Sequence, residues 1–95
     1  MALKILIERH VKKGEEGDLI ELLNNLRTEL LSQPGYVSGE LLQSQEDKAT
    51  IFALSTWQSE LDWKSWEGDP KRLELESRIE SLLTEPSKLT VATSF

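Results

Sequence analysis

Apolar and polar residues alternate at the start of the chain. Leu3, Ile5, Ile7 and Val11 occupy odd positions and Lys4, Glu8 and His10 even ones, with Arg9 the one polar residue in the odd set. A period of two sends successive side chains to opposite faces, so Leu3 to Val11 predicts a β-strand with one apolar face. Leu6 makes the other face partly apolar as well. Lys13-Gly14 ends this strand, and Glu15, Glu16 and Asp18 bring the negative charge that a helix N-terminus favours. The period then lengthens. Leu19, Leu22, Leu23, Leu26 and Leu30 recur at helical spacing through Leu31, until Gln33-Pro34-Gly35 stops the helix.

Tyr36 to Gln45 reads as a second strand, and Glu46-Asp47-Lys48 as a polar turn into a third, Ala49 to Trp57. So short a link predicts an antiparallel hairpin. Ser59 is a suitable N-cap for a short helix carrying Leu61, Trp63 and Trp66, which Gly68 ends. Asp69-Pro70 restarts helix, with an acidic cap and a proline at the first helical position. Leu75, Ile79, Leu82 and Leu83 form its stripe, with Leu73 nearby. After Glu85-Pro86-Ser87, the β-branched run Leu89 to Thr93 predicts a last strand.

The order is therefore β-α-β-β-α-α-β. It matches the split βαβ, ferredoxin-like plan of the α+β class, a four-stranded antiparallel sheet with helices on one face. The 95 residues are enough for one domain with one core, and no linker or repeat divides them. The sheet face away from the helices carries Leu6 and needs cover. A second copy is the simplest cover, so the chain is expected to form a homodimer.

Charge and composition narrow the function. The formal net charge is −6 and the basic residues are scattered, which argues against a nucleic-acid partner. Without cysteine there is no disulfide, thiolate nucleophile or thiolate metal site, and a single histidine, His10, excludes a multi-histidine site within one chain. Charges inside the first apolar run are unlike a signal peptide, and no segment has the roughly 20 apolar residues that span a bilayer. The expectation is a soluble cytoplasmic protein with no membrane partner, no metal and no cofactor.

The chemistry concentrates in the tryptophans. Trp57, Trp63 and Trp66 fall within ten residues, and Trp63 and Trp66, three apart, share a helix face. Such a cluster builds either a core corner or the wall of an aromatic pocket. Trp57, ending a strand, is expected to anchor the helix that follows.

Gln33-Pro-Gly-Tyr-Val-Ser-Gly-Glu40, Ser55-Thr-Trp-Gln-Ser59 and Asp62-Trp-Lys-Ser-Trp66 together resemble the antibiotic biosynthesis monooxygenase (ABM) domain, over Ile5 to about Val91. The resemblance implies one ABM-like domain over residues 1–95 and a dimeric α+β barrel. Each subunit would hold a pocket between its helices and its sheet. It also implies two kinds of chemistry. In one, a quinol or anthrone-type substrate is oxygenated by O₂ without metal or flavin, which calls for an apolar pocket, a proton acceptor and polar groups for an oxyanion. In the other, haem is bound and degraded through an Asn, a Trp and an axial His. Carried onto this chain, the Trp position matches Trp66, but the Asn position falls on Ile7 and the axial His position on Glu76. His10 lies on the strand face opposite Ile7.

The reading favoured is a cofactor-independent monooxygenase acting on a small aromatic substrate. Trp66, Ile7, Trp63 and Arg72 would line its pocket, and Glu76 or Tyr36 would handle the proton. Arg72 and Glu76, four apart on one helix, also suit a surface ion pair. If Glu76 instead points into the pocket, burial is expected to raise its pKa towards that of a general base. The rivals are a non-catalytic homodimer, structural or binding a small molecule, and, less favoured, a haem-degrading enzyme.

Overall fold

The computed structural model describes residues 2–95. In chain order the elements are β1 (Leu3–His10), α1 (Glu16–Leu30), β2 (Tyr36–Gln43), β3 (Thr50–Trp57), α2 (Glu60–Glu67), α3 (Pro70–Glu80) and β4 (Lys88–Thr93). The four strands form one antiparallel sheet in the order β2-β3-β1-β4. This is the ferredoxin-like α+β arrangement.

Register follows the apolar alternation. Ile5 of β1 lies opposite Ser55 of β3, Ile7 opposite Ala53 and Arg9 opposite Ile51. Paired residues share a face, so the odd positions make one surface. The helices cover it. Ile5, Ile51 and Trp57 from the sheet join Leu19, Leu22, Leu23 and Leu26 of α1, Trp63 and Trp66 of α2 and Ile79 of α3 in one core. Arg9 is in that layer too, with no exposed surface.

The helix starts are built locally. The Ser59 hydroxyl accepts from the Asp62 N–H at 3.1 Å and the Asp69 carboxylate from the Lys71 N–H at 2.8 Å, with Pro70 following. At α1 no side chain caps the first turn, but the Glu16 carboxylate accepts from the Gly14 N–H at 2.9 Å. Gly35, at φ +81°, turns the chain from α1 into β2.

Three details depart from the apolar pattern. Leu61 is 80% exposed, because two residues turn a helix by about 200° and the tryptophans hold the buried face. Leu73 is exposed for the same kind of reason. The stripe expected to run through Leu82 and Leu83 outlasts its helix, since α3 ends at Glu80. Leu83 is buried instead by an antiparallel bridge to Val11, flanked by bonds from the Lys12 N–H to the Leu82 carbonyl (2.9 Å) and the Thr84 N–H to the His10 carbonyl (2.8 Å).

Among the described residues no helix lies over the even-numbered face. Leu6 lies opposite Leu54 and Leu42 opposite Phe52, a contiguous apolar strip in which Leu42 is exposed and the others half-buried. Among the described residues no helix is long and apolar enough to cross a membrane.

Candidate functional site

A cavity opens between the helices and the odd face of the sheet. Its floor is Ile7 and Arg9 of β1 with Ala53 and Ser55 of β3, and one side is Leu23, Leu26 and Leu30 of α1. Trp63 and Trp66 of α2 close the other side, Arg72 and Glu76 of α3 complete the wall, and Tyr36, Glu40 and Leu41 of β2 sit at the rim beside Arg27. Helical spacing explains the grouping, because Trp63 and Trp66, and Arg72 and Glu76, are same-face pairs. The volume is about 70 Å³, against the roughly 150 Å³ of an apolar cavity that takes up benzene. As it stands it holds a few waters or the edge of one ring.

The aromatic residues interlock around it. Trp57 meets Tyr36 edge-on, with ring centroids 5.5 Å apart, and Trp63 at 5.7 Å. A Cβ on Gly39 would overlap the Tyr36 hydroxyl, so the glycine makes room for the phenol at the rim. The Trp57 indole donates to the Ser55 hydroxyl at 3.0 Å. The Trp63 indole N–H is buried and has no acceptor among the described residues.

The polar part of the wall is a chain of charges. Arg9 Nη2 donates to Glu76 Oε1 at 2.6 Å, and the Arg72 Nη2 approaches Glu76 Oε2 at 4.0 Å. The Arg72 guanidinium lies 5.4 Å over the Trp63 ring, a cation–π arrangement, and donates to the Glu67 carbonyl at 3.1 Å. Glu76 keeps only 13% of its side chain exposed, and Arg9 none. Among the described residues Arg9 Nε and Nη1 have no acceptor. Buried polar groups nearly always have partners, so this guanidinium is under-used.

Ile7, Tyr36, Trp63, Trp66, Arg72 and Glu76 thus all stand at this one cavity. Two expectations about their surroundings change. The Arg72–Glu76 pair lies at the cavity wall, largely buried, rather than on the surface, and the closer partner of Glu76 is Arg9, 67 residues earlier. Glu76 is therefore no lone carboxyl among apolar groups. His10 is on the other face, where it meets Glu8 (2.7 Å) and the Thr50 hydroxyl (3.0 Å). Arg9 was visible in the sequence only as the polar interruption of an apolar face, and that interruption is the signal that could have found it. Arg27 carried no signal, because a charged residue beside Leu23 and Leu30 at helical spacing reads only as the edge of an amphipathic helix's apolar stripe.

The residues do not suit haem. Isoleucine at position 7 offers no hydrogen bond to a bound ligand, Glu76 is engaged by Arg9, and a macrocycle far exceeds 70 Å³. Among the described residues no three His, Asp or Glu side chains converge as metal ligands.

The fold is widely shared. A protein from Methanosarcina mazei Go1 superposes with a TM-score of 0.92 at 16% identity, covering 97% of this chain and 91% of that one. Rv0793 from Mycobacterium tuberculosis gives 0.90 at 19%, covering 100% and 96%. SnoaB, a cofactor-independent oxygenase from Streptomyces nogalater, gives 0.88 at 16%, covering 99% and 93%. At such identities the likeness is one of fold. No curated protein matches significantly. The sequence itself matches the profile of the family described as "Antibiotic biosynthesis monooxygenase" over residues 2–86, and with nearly its whole length inside that match the chain belongs to the antibiotic biosynthesis monooxygenase family.

Proposed function

We propose that this protein is a cofactor-independent monooxygenase of a small quinol-type aromatic, working as a cytoplasmic homodimer. The observation that supports this best is the cavity itself, an apolar chamber with one carboxylate, Glu76, held in its wall by two arginines. In the reaction an activated ring CH₂ or CH is deprotonated, the resulting anion gives its electrons to O₂, one oxygen atom ends in a new carbonyl and the other leaves as water. The substrate supplies every electron, so no reductant is needed.

Each residue then has a role. Glu76 Oε2, the oxygen farther from a guanidinium, takes the proton, with the Tyr36 phenol at the rim as the alternative relay. Trp66 and Ile7 keep the reacting centre dry and flat, and Trp63 and Arg72 hold the wall. A developing oxyanion needs donors aimed at it. The cavity volume favours a single-ring substrate over a three-ring one, and even a single ring requires the rim residues Tyr36 and Leu41 or the Leu30 side wall to move.

Oxygen uptake by the metal-free protein, corrected for autoxidation, tests the reading against a panel of single-ring quinols and larger anthrones. Saturable uptake is expected, lost at least 100-fold in Glu76→Gln and reduced in Trp66→Ala. Uptake that is saturable but indifferent to Glu76→Gln would remove Glu76 from the chemistry. No uptake above autoxidation would favour the second reading, a non-catalytic dimer that binds a small molecule. The ion pairing of Glu76 and the small cavity support that alternative.

For the dimer, the support is the apolar strip on the helix-free sheet face. Leu54→Glu in the middle of that strip should turn a dimeric species into a monomer in light scattering. A monomeric wild-type protein at micromolar concentration would end the idea.

A further inference from the structure

We propose that Arg9 is an oxyanion-binding residue, and that the ligand of this cavity is a small planar molecule carrying a carboxylate or a phenolate-type oxygen. The inference rests on the reading that this cavity is the ligand site, and it adds the charge of the ligand and the residue that recognises it.

Three observations converge. First, Arg9 lies on the apolar face of β1 with no exposed surface, and two of its three guanidinium nitrogens have no acceptor. A guanidinium carries five N–H donors and cannot lose its charge, and each donor left unpaired in the interior is unfavourable. Glu76 takes up only Nη2. Second, the Trp63 indole N–H is an orphaned, buried donor in the same lining. Every unmet polar atom identified here is a donor, so what is missing is an acceptor.

Third, the charge distribution is uneven. The chain has a formal charge of −6 and four arginines, yet three of them, Arg9, Arg27 and Arg72, stand at this cavity. Among the described residues Glu76 is the one carboxylate of the wall, since Glu40, though at the rim, pairs with Leu54 of the helix-free face, so positive charge is in excess. Arginine binds planar oxyanions through paired, charge-assisted hydrogen bonds. The aromatic and leucine walls take the apolar part of the same molecule. Glu76 then acts as the internal competitor, an anion already on the guanidinium that an incoming oxyanion must share or displace.

Titration calorimetry with benzoate, with its neutral isostere benzamide and with 4-nitrophenolate tests this without turnover or oxygen. Wild type should bind benzoate at least tenfold more tightly than benzamide. Glu76→Gln should tighten benzoate about tenfold further and leave benzamide unchanged, because the competitor has lost its charge. Arg9→Gln should remove the preference while benzamide still binds. If Arg9→Gln does not fold, Arg9→Gln/Glu76→Gln replaces it, since neither charge is then left alone in the interior. The visible band of 4-nitrophenolate reports whether a phenolate is held as the anion. Preference for either anion supports the proposal and names the source of the oxyanion.

Equal affinity for benzoate and benzamide in wild type and in Glu76→Gln overturns it. So does a preference that survives in the Arg9 variants, or no binding of any probe at millimolar concentration. Selective anion binding without oxygen uptake leaves this inference standing and removes the monooxygenase reading. Uptake of oxygen without anion preference does the reverse.

Discussion

Removing Glu76 should do more harm than removing Arg9, although the two share one ion pair. In Glu76→Leu the Arg9 guanidinium, with no exposed surface and two nitrogens already unpaired, loses its one acceptor among the described residues. Stranding a buried charge in this way costs about 3–5 kcal/mol. In Arg9→Met the carboxylate left behind keeps 13% exposure and has Arg72 4.0 Å away. Partial hydration and that second cation should hold the loss to about 2 kcal/mol. Replacing both by apolar residues of similar volume removes the stranded Arg9 charge and leaves only Arg72 without its 4.0 Å partner, and swaps of a buried pair are often neutral. Arg9→Met/Glu76→Leu should therefore recover at least half of the Glu76→Leu loss.

Urea unfolding followed by tryptophan fluorescence is the assay, because Trp57 and Trp63 are buried and report the core. With a urea dependence of about 1–3 kcal/mol per molar, Glu76→Leu should move the midpoint down by about 2 M. Protein concentration must be held constant, since any self-association would raise apparent stability. A Glu76→Leu midpoint equal to wild type, or strict additivity in the double variant, would refute the view that the pair is a coupled element of the core.

Other expectations concern the frame around the site. Gly35→Ala would force a Cβ at φ +81° into the Asp62 carboxylate, which must give up its 2.9 Å bond from the Ser59 hydroxyl. A loss of about 1–3 kcal/mol is expected in the same urea assay, and no loss would show that the turn relaxes freely. Asp69→Ala removes the cap of α3 and should cost about 1 kcal/mol, with Asp69→Asn largely restoring it. The Asp47 carboxyl is held below its ordinary 3.8, chiefly by the Thr50 hydroxyl, then by the Ala49 N–H, with His10 contributing. A lowered folded-state pKa gives stability that is present above 3.8 and lost as the pH falls through the folded value. The melting-temperature gap between wild type and Asp47→Asn should accordingly shrink as the pH drops below 3.8, and a gap that widens there would contradict the assignment.

What depends on near neighbours could be read from the order of residues alone. Alternation in Leu3–Val11, the leucine repeat of α1, and the Ser59 and Asp69-Pro70 starts act over one or two turns, so element order and fold class were legible from pattern alone. The dense tryptophan spacing likewise marked one shared aromatic face, because same-face pairs on one helix follow from its period, but left open whether it made a core corner or a pocket wall. Leu83 was assigned to the wrong support, since apolar spacing cannot distinguish a helix stripe from a bridge to Val11. The environment of Arg9 emerges only from the docked elements. The strand register places it opposite Ile51, and the packing of α3 over that strand brings Glu76 to within 2.6 Å. Neither follows from local spacing, because the partners are 67 residues apart and meet only when two elements dock. The same docking leaves Arg9 Nε, Arg9 Nη1 and the Trp63 indole without acceptors, since no protein oxygen is carried to them.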